Sequence, residues 1–158
     1  MAMLGKIYVV PIDNVSIGTA VQDIFSLKST AGNGIIIHWI HLESTNVSAA
    51  PLRMRLKRGT ATVTQGSGGS APTPAPLSGL NTIAALSTAH INDTSQATTS
   101  GAFTTLFNFN WDTVLPFDFL PPPENRPDCG VSQGWILDLP ATIVAVTVSG
   151  FLVFEETP

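Results

Sequence analysis

The chain has 158 residues, of which 44% are hydrophobic, enough to bury the core of a single domain spanning residues 1–158. Only 11% of the residues are charged, against about 25% in typical soluble domains. This scarcity indicates either a Thr-rich extracellular β protein or a subunit that packs against others. The net charge of −4 argues against broad electrostatic attraction to nucleic acid, and the single cysteine, Cys129, excludes an intrachain disulfide and a cysteine-based metal site.

Residues 1–14, MAMLGKIYVVPIDN, lack the apolar core and the cleavage site of a signal peptide. Pro11 follows a short apolar run, so this stretch is either the first strand or a tether. The longest apolar stretch near the other end contains Thr, Ser and Gly and is too short and too polar for a membrane span. We therefore expect synthesis in the cytoplasm, where the protein stays soluble or enters an assembly, and no membrane partner.

Alternation of apolar and polar residues predicts β-strands along most of the chain. In residues 21–29, VQDIFSLKS, Ile24 and Leu27 break strict alternation, but a strand is still favoured. Residues 34–44, GIIIHWIHLES, open with a continuous apolar run, which is typical of a strand buried on both faces. Residues 51–59 alternate cleanly and place three apolar side chains on one face: Leu52, Met54 and Leu56.

Residues 104–112, 134–139 and 142–156 continue the strand pattern, with Gly150 as a bulge or crossing point. Residues 81–89 have a weak helical face, and their Ser and Thr content predicts a short turn at most. Several strands joined by turns rich in Gly, Pro and Asn predict an all-β fold. We expect a jelly-roll-like antiparallel β-sandwich of about eight strands.

Two long uncharged or proline-rich loops interrupt this pattern. Residues 64–80, TQGSGGSAPTPAPLSGL, begin with flexible Gly and Ser and continue with Pro72, Pro74 and Pro76, which hold the chain extended. We interpret this loop as a hinge with a stiff tip, an arm that lies along a neighbouring subunit. Its position directly after a basic strand supports a role in association.

Residues 112–130 form the second loop, and their five prolines predict an edge crossing or a surface segment. Phe117, Phe119 and Leu120 lie between these prolines, and Pro122 follows them. Apolar side chains on a stiff segment need cover. They either close the open end of their own sandwich or dock on a neighbouring subunit.

Residues with catalytic or metal-binding chemistry are few. His38 and His41 are three apart, so on a regular strand they point to opposite faces and cannot share a metal ion. His41 and Glu43 share a face but have no predictable third ligand. GSGGS lacks the Lys-Ser/Thr of a phosphate loop, and no serine nucleophile elbow occurs. We expect no enzyme activity and no cofactor.

The one charge cluster is basic and lies on a predicted strand: Arg53, Arg55, Lys57 and Arg58, four of the seven basic residues. Like charges on one strand face repel, so they need acceptors. The face is either solvated, or paired with acidic residues on an adjacent strand, or directed at an acidic patch on a protein partner. Nucleic acid ranks last, because no aromatic residues interleave with the cluster on that face.

Three stretches together carry a resemblance to small virion structural proteins of tailed bacteriophages. RLKRGTATVTQGSGGSAPTPAPL resembles a basic strand that runs into a Gly- and Pro-rich loop in those proteins. PFDFLPPPENRP is similar to their Pro-Glu-x-Arg loop, and VSGFLVFEE to their closing strand, while Asn92-Asp93-Thr94 matches a polar turn. The similarity covers most of the chain from Arg53 onward, and none of its motifs is catalytic.

The resemblance implies a capsid cement or decoration protein on the exterior of the virion, whose partner is the major capsid protein. It also implies a homo-oligomer, for which we expect a trimer, with a dimer as the alternative. The candidate interface residues are those of the basic strand and the two loops: Arg53, Arg55, Lys57, Arg58, Pro72, Pro74, Pro76, Phe117, Phe119 and Pro122. The alternative function is a host-recognition module of a fibre or tail that binds cell-surface glycan, with Trp111 beside Asn108, Asn110 and Asp112 as its candidate site.

Overall fold

The computed structural model of this chain describes residues 6–18, 20–30, 32–46, 48, 51–140 and 145–158. This part of the chain is built from strands of very different length. In chain order they are β1 (Lys6–Ile17), β2 (Gln22–Lys28), β3 (Gly34–Ser44), β4 (Pro51–Gly59), β5 (Val63–Thr64), β6 (Ala75–Pro76), β7 (Thr88–Asp93), β8 (Thr98–Thr99), β9 (Phe103–Asp112), β10 (Phe117–Phe119), β11 (Asp128–Cys129), β12 (Gly134–Leu139) and β13 (Val146–Thr157).

Two antiparallel sheets face each other. Sheet A has the order β10-β3-β13-β1-β6, with β11 also paired to β3, and sheet B has the order β7-β2-β12-β4-β9. Strands β5 and β8 form a separate two-stranded ribbon. The pairings within both sheets are antiparallel. The predicted all-β class and the antiparallel β-sandwich are confirmed.

The order of the strands also bears on the jelly-roll-like arrangement. From β1 to β4 the chain alternates between sheets A and B, and it alternates again from β9 through β10 and β12 to β13. The neighbours β1-β13-β3-β10 and β2-β12-β4-β9 are those expected when two Greek keys wind around each other. This order is compatible with a jelly roll that carries β7 as an additional edge strand.

One continuous hydrophobic core fills the space between the sheets. Trp135 and Tyr8 are its largest fully buried side chains, and Tyr8 stacks on Phe154 with the ring centroids 5.6 Å apart. The alternating residues of β4, Leu52, Met54 and Leu56, point into this core as predicted. The period-two pattern of each strand therefore sets which side chains are buried.

Three irregularities in the strand register explain where the sequence departs from strict alternation. Ile24 lies at a register shift between β2 and β12, so the break that it makes in the apolar pattern is a bulge. His38 lies at a second shift, between β3 and β13. The shift between β1 and β13 adjoins Gly150, as predicted for that glycine.

The prediction that residues 34–44 are buried on both faces is wrong. One face of β3 packs into the core through Ile35, Ile37, Ile40 and Leu42, but the other is half-exposed or exposed along most of its length. The apolar run at the start of β3 misled the prediction, because Ile36 lies on the outer face and is only half-buried although it is apolar.

The two outer faces of the sandwich differ. Sheet B is covered by its own chain: residues 60–67 and 95–102, which include the β5–β8 ribbon, fold over it, and Val63, Ala97 and Ile136 form a second small core there with Phe103. Strand β12 is consequently buried at every position. Across the described residues no comparable insertion lies over sheet A, whose outer face keeps half-buried and exposed side chains.

Residues 64–80 are attached to their own domain. Ser67 and Ser95 exchange two backbone hydrogen bonds, Ser70 and Ile91 exchange two more, and β6 pairs with β1 through Ala75 and Pro76. Pro74 is buried, while Pro72 and Pro76 are half-buried. The hinge that was predicted for this loop is therefore contradicted, because its backbone groups are already paired within the chain; its contact with a neighbouring subunit stays a prediction.

Helical structure is confined to one 3-10 turn, Pro123–Asn125, in the described part of the molecule. The short turn expected over residues 81–89 does not form a helix, and Thr88 and Ala89 open β7 instead. In the described ranges, no helix has the length and hydropathy that crossing a membrane would need. Strands β10 and β11 pair with the edge of β3, so the prediction of an edge crossing for residues 112–130 is confirmed.

Candidate protein-binding surface

The basic strand pairs with an acidic residue of its own chain. Asp138, on the neighbouring strand β12, is fully buried, and its oxygens accept hydrogen bonds from Arg55 Nε at 3.0 Å and Arg55 Nη2 at 2.6 Å. Lys57 Nζ lies 2.7 Å from the same carboxylate. The hydrogen bond from Arg55 to Asp138 raises the pKa of this guanidinium above its usual value. Of the alternatives for this cluster, pairing with an adjacent strand is therefore confirmed for Arg55 and Lys57.

The remaining two basic residues lie in different settings. Arg53 is exposed on β4, and Arg58 is half-buried, with its Nη1 donating to the backbone oxygen of Asp128 at 3.3 Å. A free cationic face of four residues is thus not present. Only Arg53 remains fully available to a partner, which weakens the expectation that this strand recognises an acidic patch.

A second buried carboxylate, Asp23, lies beside Asp138 in the pairing of β2 with β12. It accepts hydrogen bonds from Ala97 N at 2.7 Å and Gln96 Nε2 at 3.1 Å, both from the insertion that covers sheet B. Burial nevertheless raises the pKa of Asp23 from 3.8 to about 6, and repulsion by Asp138 adds to this effect. Desolvation outweighs the hydrogen bonds because the charged form loses its hydration.

Asp23 should make the domain less stable as pH rises from about 4 to about 6. In this window the unfolded chain has released the proton and the folded chain still binds it, so the free energy of unfolding falls with pH. The total loss is about 3 kcal/mol at about 1.4 kcal/mol per pKa unit. Asp23→Asn should remove most of this decline in urea-unfolding curves measured across pH. Asp13→Asn, which changes an exposed carboxylate, should keep the wild-type decline; identical profiles for both variants would contradict the prediction.

The phenylalanines of the second loop close the edge of their own sandwich. Phe117 and Phe119 are half-buried and pack against the core. Phe117 contacts Phe109 with a centroid distance of 5.0 Å, and Phe119 contacts Phe107 at 4.9 Å. Of the two alternatives for these residues, cover of their own sandwich is confirmed. Pro122 remains exposed at the start of the 3-10 turn.

The outer face of sheet A carries an aromatic cluster held by one carboxylate. Trp39 and Phe151 meet edge to face with ring centroids 4.7 Å apart, and His41 stacks on Phe151 at 5.1 Å. Asp118 Oδ1 accepts from Trp39 Nε1 at 2.8 Å and lies 2.9 Å from His41 Nδ1. The hydrogen bond with His41 lowers the pKa of Asp118 most, and the one from Trp39 lowers it further. The cluster is thus fixed in place although it lies at the surface.

Two exposed leucines join this cluster to its surroundings. A groove of about 400 Å³ runs over Val9, Trp39 and Phe151, and its walls include Leu77 and Leu120. Leu77 also lines a second groove, toward Leu80 and Ile83, and Leu120 lines a third, toward Pro121 and Pro122. The three grooves therefore form one continuous surface, which we call the sheet A surface.

Large apolar side chains on the sheet A surface are unusually exposed to solvent. Leu77 is 57% exposed, Leu120 is 64% exposed and Leu80 is 96% exposed. Leu77 follows the prolines of the first loop, and Leu120 precedes those of the second. Both loops that the sequence singled out therefore deliver a leucine to the same surface, and contiguous apolar patches of this kind mark interaction sites.

The histidines do not form a metal site. His38 Nε2 lies 2.8 Å from Glu155 Oε2, and both His38 and His41 lie toward the sheet A surface. The prediction that the two histidines point to opposite faces is wrong, because the bulge at His38 changes the phase of β3. No group of three or more potential ligands that could hold a metal ion occurs in the part of the chain that the structure describes.

Sequence reasoning missed the residues that build the sheet A surface. Trp39, Phe151 and Leu77 were not singled out, and Asp118 was not connected to them; Leu120 was predicted to need cover, and it is 64% exposed in the chain alone. The sequence feature that could have indicated this surface is HWIH, residues 38–41, in which Trp39 and His41 are two residues apart. Trp39 falls on the outer face once the bulge is known. The glycan candidate Trp111 is only 4% exposed, and its Nε1 donates to the Leu115 oxygen, so it is part of the core.

The fold and this surface together define a β-sandwich protein with one outer face covered by its own chain and one left apolar. Comparisons with protein-family models, with curated protein sequences and with solved structures find no match to this chain. The resemblance to virion proteins consequently stays a prediction.

Proposed function

We propose that this chain is a structural subunit that attaches to a larger assembly through the sheet A surface, as a capsid cement or decoration protein does. The observation that carries the proposal is the convergence of both proline-rich loops on one apolar surface. Leu77 and Leu120 are each more than half exposed there, although the chain buries the equivalent face of sheet B beneath residues 60–67 and 95–102. The resemblance to bacteriophage virion proteins supplies the kind of assembly.

The chemistry of the surface suits a broad contact. Apolar and aromatic side chains line its centre, with charged residues such as Lys6, Asp118 and Arg126 among them. The backbone that presents Leu77 is already fixed by pairing with β1. Fixing such a segment before association reduces the conformational entropy lost on binding. A protein that binds only the assembled shell stabilises that shell by mass action, and repeated copies add their effects. The major capsid protein is the partner in this proposal, and the location is the exterior of the virion.

The proposal predicts that charge on the sheet A surface abolishes attachment. In the variant Leu77→Asp/Leu120→Asp, two carboxylates would be buried at the contact, and binding to particles that lack the protein should weaken at least about tenfold. Co-sedimentation of the purified protein with such particles measures this, and the heat resistance of the loaded particles gives a second readout.

The matched control is Leu115→Asp/Val131→Asp, which adds the same charge at side chains that are 61% and 53% exposed outside this surface. This control should bind as the wild type does. An equal loss of binding to the particles in both variants would show a nonspecific effect of the added charge. A wild-type protein that neither co-sediments with the particles nor changes their heat resistance would refute the proposal.

A second candidate function is glycan binding by a host-recognition module. Because Trp111 is buried in the core, the candidate site for it is Trp39. Trp39 is half-buried at the surface, and Asp118 beside it has a second carboxylate oxygen to accept sugar hydroxyls. Aromatic rings that present an apolar face beside a polar acceptor suit sugar recognition. A glycan array favours this candidate if binding occurs and Trp39→Ala abolishes it while attachment to particles is unaffected.

A further inference from the structure

The four ends of the two sheets are not equally protected against pairing with another strand. An edge strand exposes backbone N–H and C=O groups that can pair with another chain, and proteins usually block them. Strand β6 ends sheet A with two residues, one of them Pro76. At the opposite end β10 and β11 are three and two residues long and lie among prolines. Both ends of sheet A are therefore short and interrupted.

The β7 end of sheet B is protected by the first loop. Ser70 exchanges backbone hydrogen bonds with Ile91, and Gln65 Nε2 donates to the Thr88 oxygen at 3.0 Å. Gly69 N also donates to Asp93 Oδ1 at 3.3 Å. The loop thus occupies the positions that a further strand would take along β7.

Strand β9 forms the other end of sheet B, and it is long and open. It has ten residues and pairs on one side with β4; no backbone partner lies on its other side among the residues that the structure describes. In an antiparallel pair every second residue directs its N–H and C=O away from the partner strand. Charged residues and prolines normally protect an edge strand from pairing. Residues 103–111 contain neither.

The side chains along β9 also suit a neighbouring strand. Asn108 and Asn110 are exposed, and they alternate with the half-buried Phe107 and Phe109. These phenylalanines lie at the seam where sheets A and B meet, where Phe117 and Phe119 are also half-buried. A strand added to β9 would cover this aromatic seam and satisfy the open backbone groups.

We propose that β9 pairs antiparallel with β9 of a second copy of this chain, so that the two B sheets join into one continuous sheet across a two-fold axis. A second copy is favoured because the strand is self-complementary. With the axis at Phe109, Asn108 lies opposite Asn110 of the second copy, and the amides can hydrogen-bond to each other. In the same register Asp112 does not face Asp112 of the second copy, so the two carboxylates do not repel each other directly. The bulge near Leu106 lies outside the central pairs.

This arrangement is isologous and therefore closed, which limits the assembly to a dimer. It revises the expected trimer in favour of the alternative dimer. The inference goes beyond the proposed function and rests on the backbone edge of β9, whereas the proposed function rests on Leu77 and Leu120. The two surfaces adjoin at the third groove, which Phe107 and Phe119 also line. Their tests change different side chains and measure different quantities, self-association here and attachment to particles there, so the failure of one proposal is distinguishable from the failure of the other.

The test uses the full chain in analytical ultracentrifugation or light scattering. Asn108→Lys/Asn110→Lys places like charges opposite each other in the paired strands, and dimerisation should weaken at least tenfold. The control Thr73→Lys/Thr82→Lys adds the same charge at exposed loop positions and should leave the dimer unchanged. Circular dichroism and the melting curve verify that both variants are folded.

Engineered cysteines test the register. Asn108→Cys/Asn110→Cys should form disulfide-linked dimers on mild oxidation, whereas Asn108→Cys alone should form few, since its partner in this register is Asn110. The native Cys129 is buried, and burial raises its thiol pKa to about 12, so it does not compete near neutral pH. The inference is overturned if the wild-type chain is monomeric throughout the micromolar range, or if the Asn108→Lys/Asn110→Lys variant still forms the oligomer. Equal cross-linking of the single and double cysteine variants overturns the register.

Discussion

Asp138→Ala is expected to lower the free energy of unfolding by about 3 kcal/mol, within the range of about 3 to 5 kcal/mol that follows when one partner of a buried ion pair is removed. Asp138 is fully buried, and it is the common acceptor for Arg55 and Lys57. Without it, both cations and Gln96 Nε2 lose an acceptor beneath the insertion that covers sheet B. The lower end of the range applies because the side chain of Arg55 is 31% exposed and can reach water.

Two variants make this prediction specific to the buried pair. Arg53→Ala, on the same strand but exposed, should change stability by less than about 0.5 kcal/mol. Replacing the whole cluster by Asp138→Leu/Arg55→Met/Lys57→Met should recover much of the loss, since apolar residues then fill a site with no charge to compensate. Chemical denaturation measures all three variants. A cost below about 1 kcal/mol for Asp138→Ala would mean that water reaches this cluster.

Gly69→Ala is expected to destabilise the domain by about 2 to 3 kcal/mol. A Cβ at residue 69 would overlap the carbonyl oxygen of Ile91, so the first loop must move away from β7. The two backbone hydrogen bonds between Ser70 and Ile91 and the bond from Gly69 N to Asp93 would then be lost. At about 1 kcal/mol for each bond, these losses set the expected magnitude.

The matched control is Gly79→Ala, in the same loop. No atom lies within 4 Å of a Cβ built at Gly79, so this alanine should be neutral or stabilise the domain by up to about 1 kcal/mol through the unfolded chain. Thermal unfolding compares the two variants, and hydrogen exchange at the amides of Ser70 and Ile91 should accelerate only in Gly69→Ala. Equal stability of the two variants would restore the interpretation of residues 64–80 as a hinge with a stiff tip.

The strands were predictable because burial on one side of a sheet imposes a period of two on the sequence. Leu52, Met54 and Leu56 show this pattern, and they lie in the core as expected. Prolines likewise identified residues 112–130 as an edge crossing, because a proline cannot donate to a central ladder. Composition and periodicity therefore determined the all-β class and the sandwich.

The partners of individual side chains depended on contacts between distant parts of the chain. The pairing of Arg55 with Asp138 joins residues 83 positions apart, and no local pattern encodes it. The bulge at His38 arises where β3 meets β13, and it turns Trp39 and His41 to the outer face, opposite to the side chains of Ile35 and Ile37.

By itself, the sequence determined the fold class, the positions of most strands and the two unusual loops, because these follow from local burial and from the backbone limits of proline and glycine. Only the tertiary structure decided that the first loop is paired to its own sheets, that Leu77 and Leu120 share one surface, and that β9 is the open edge. The physical reason is that each of these features is a relation between strands of different sheets or distant segments. Such relations are fixed only when the whole sandwich closes around its core.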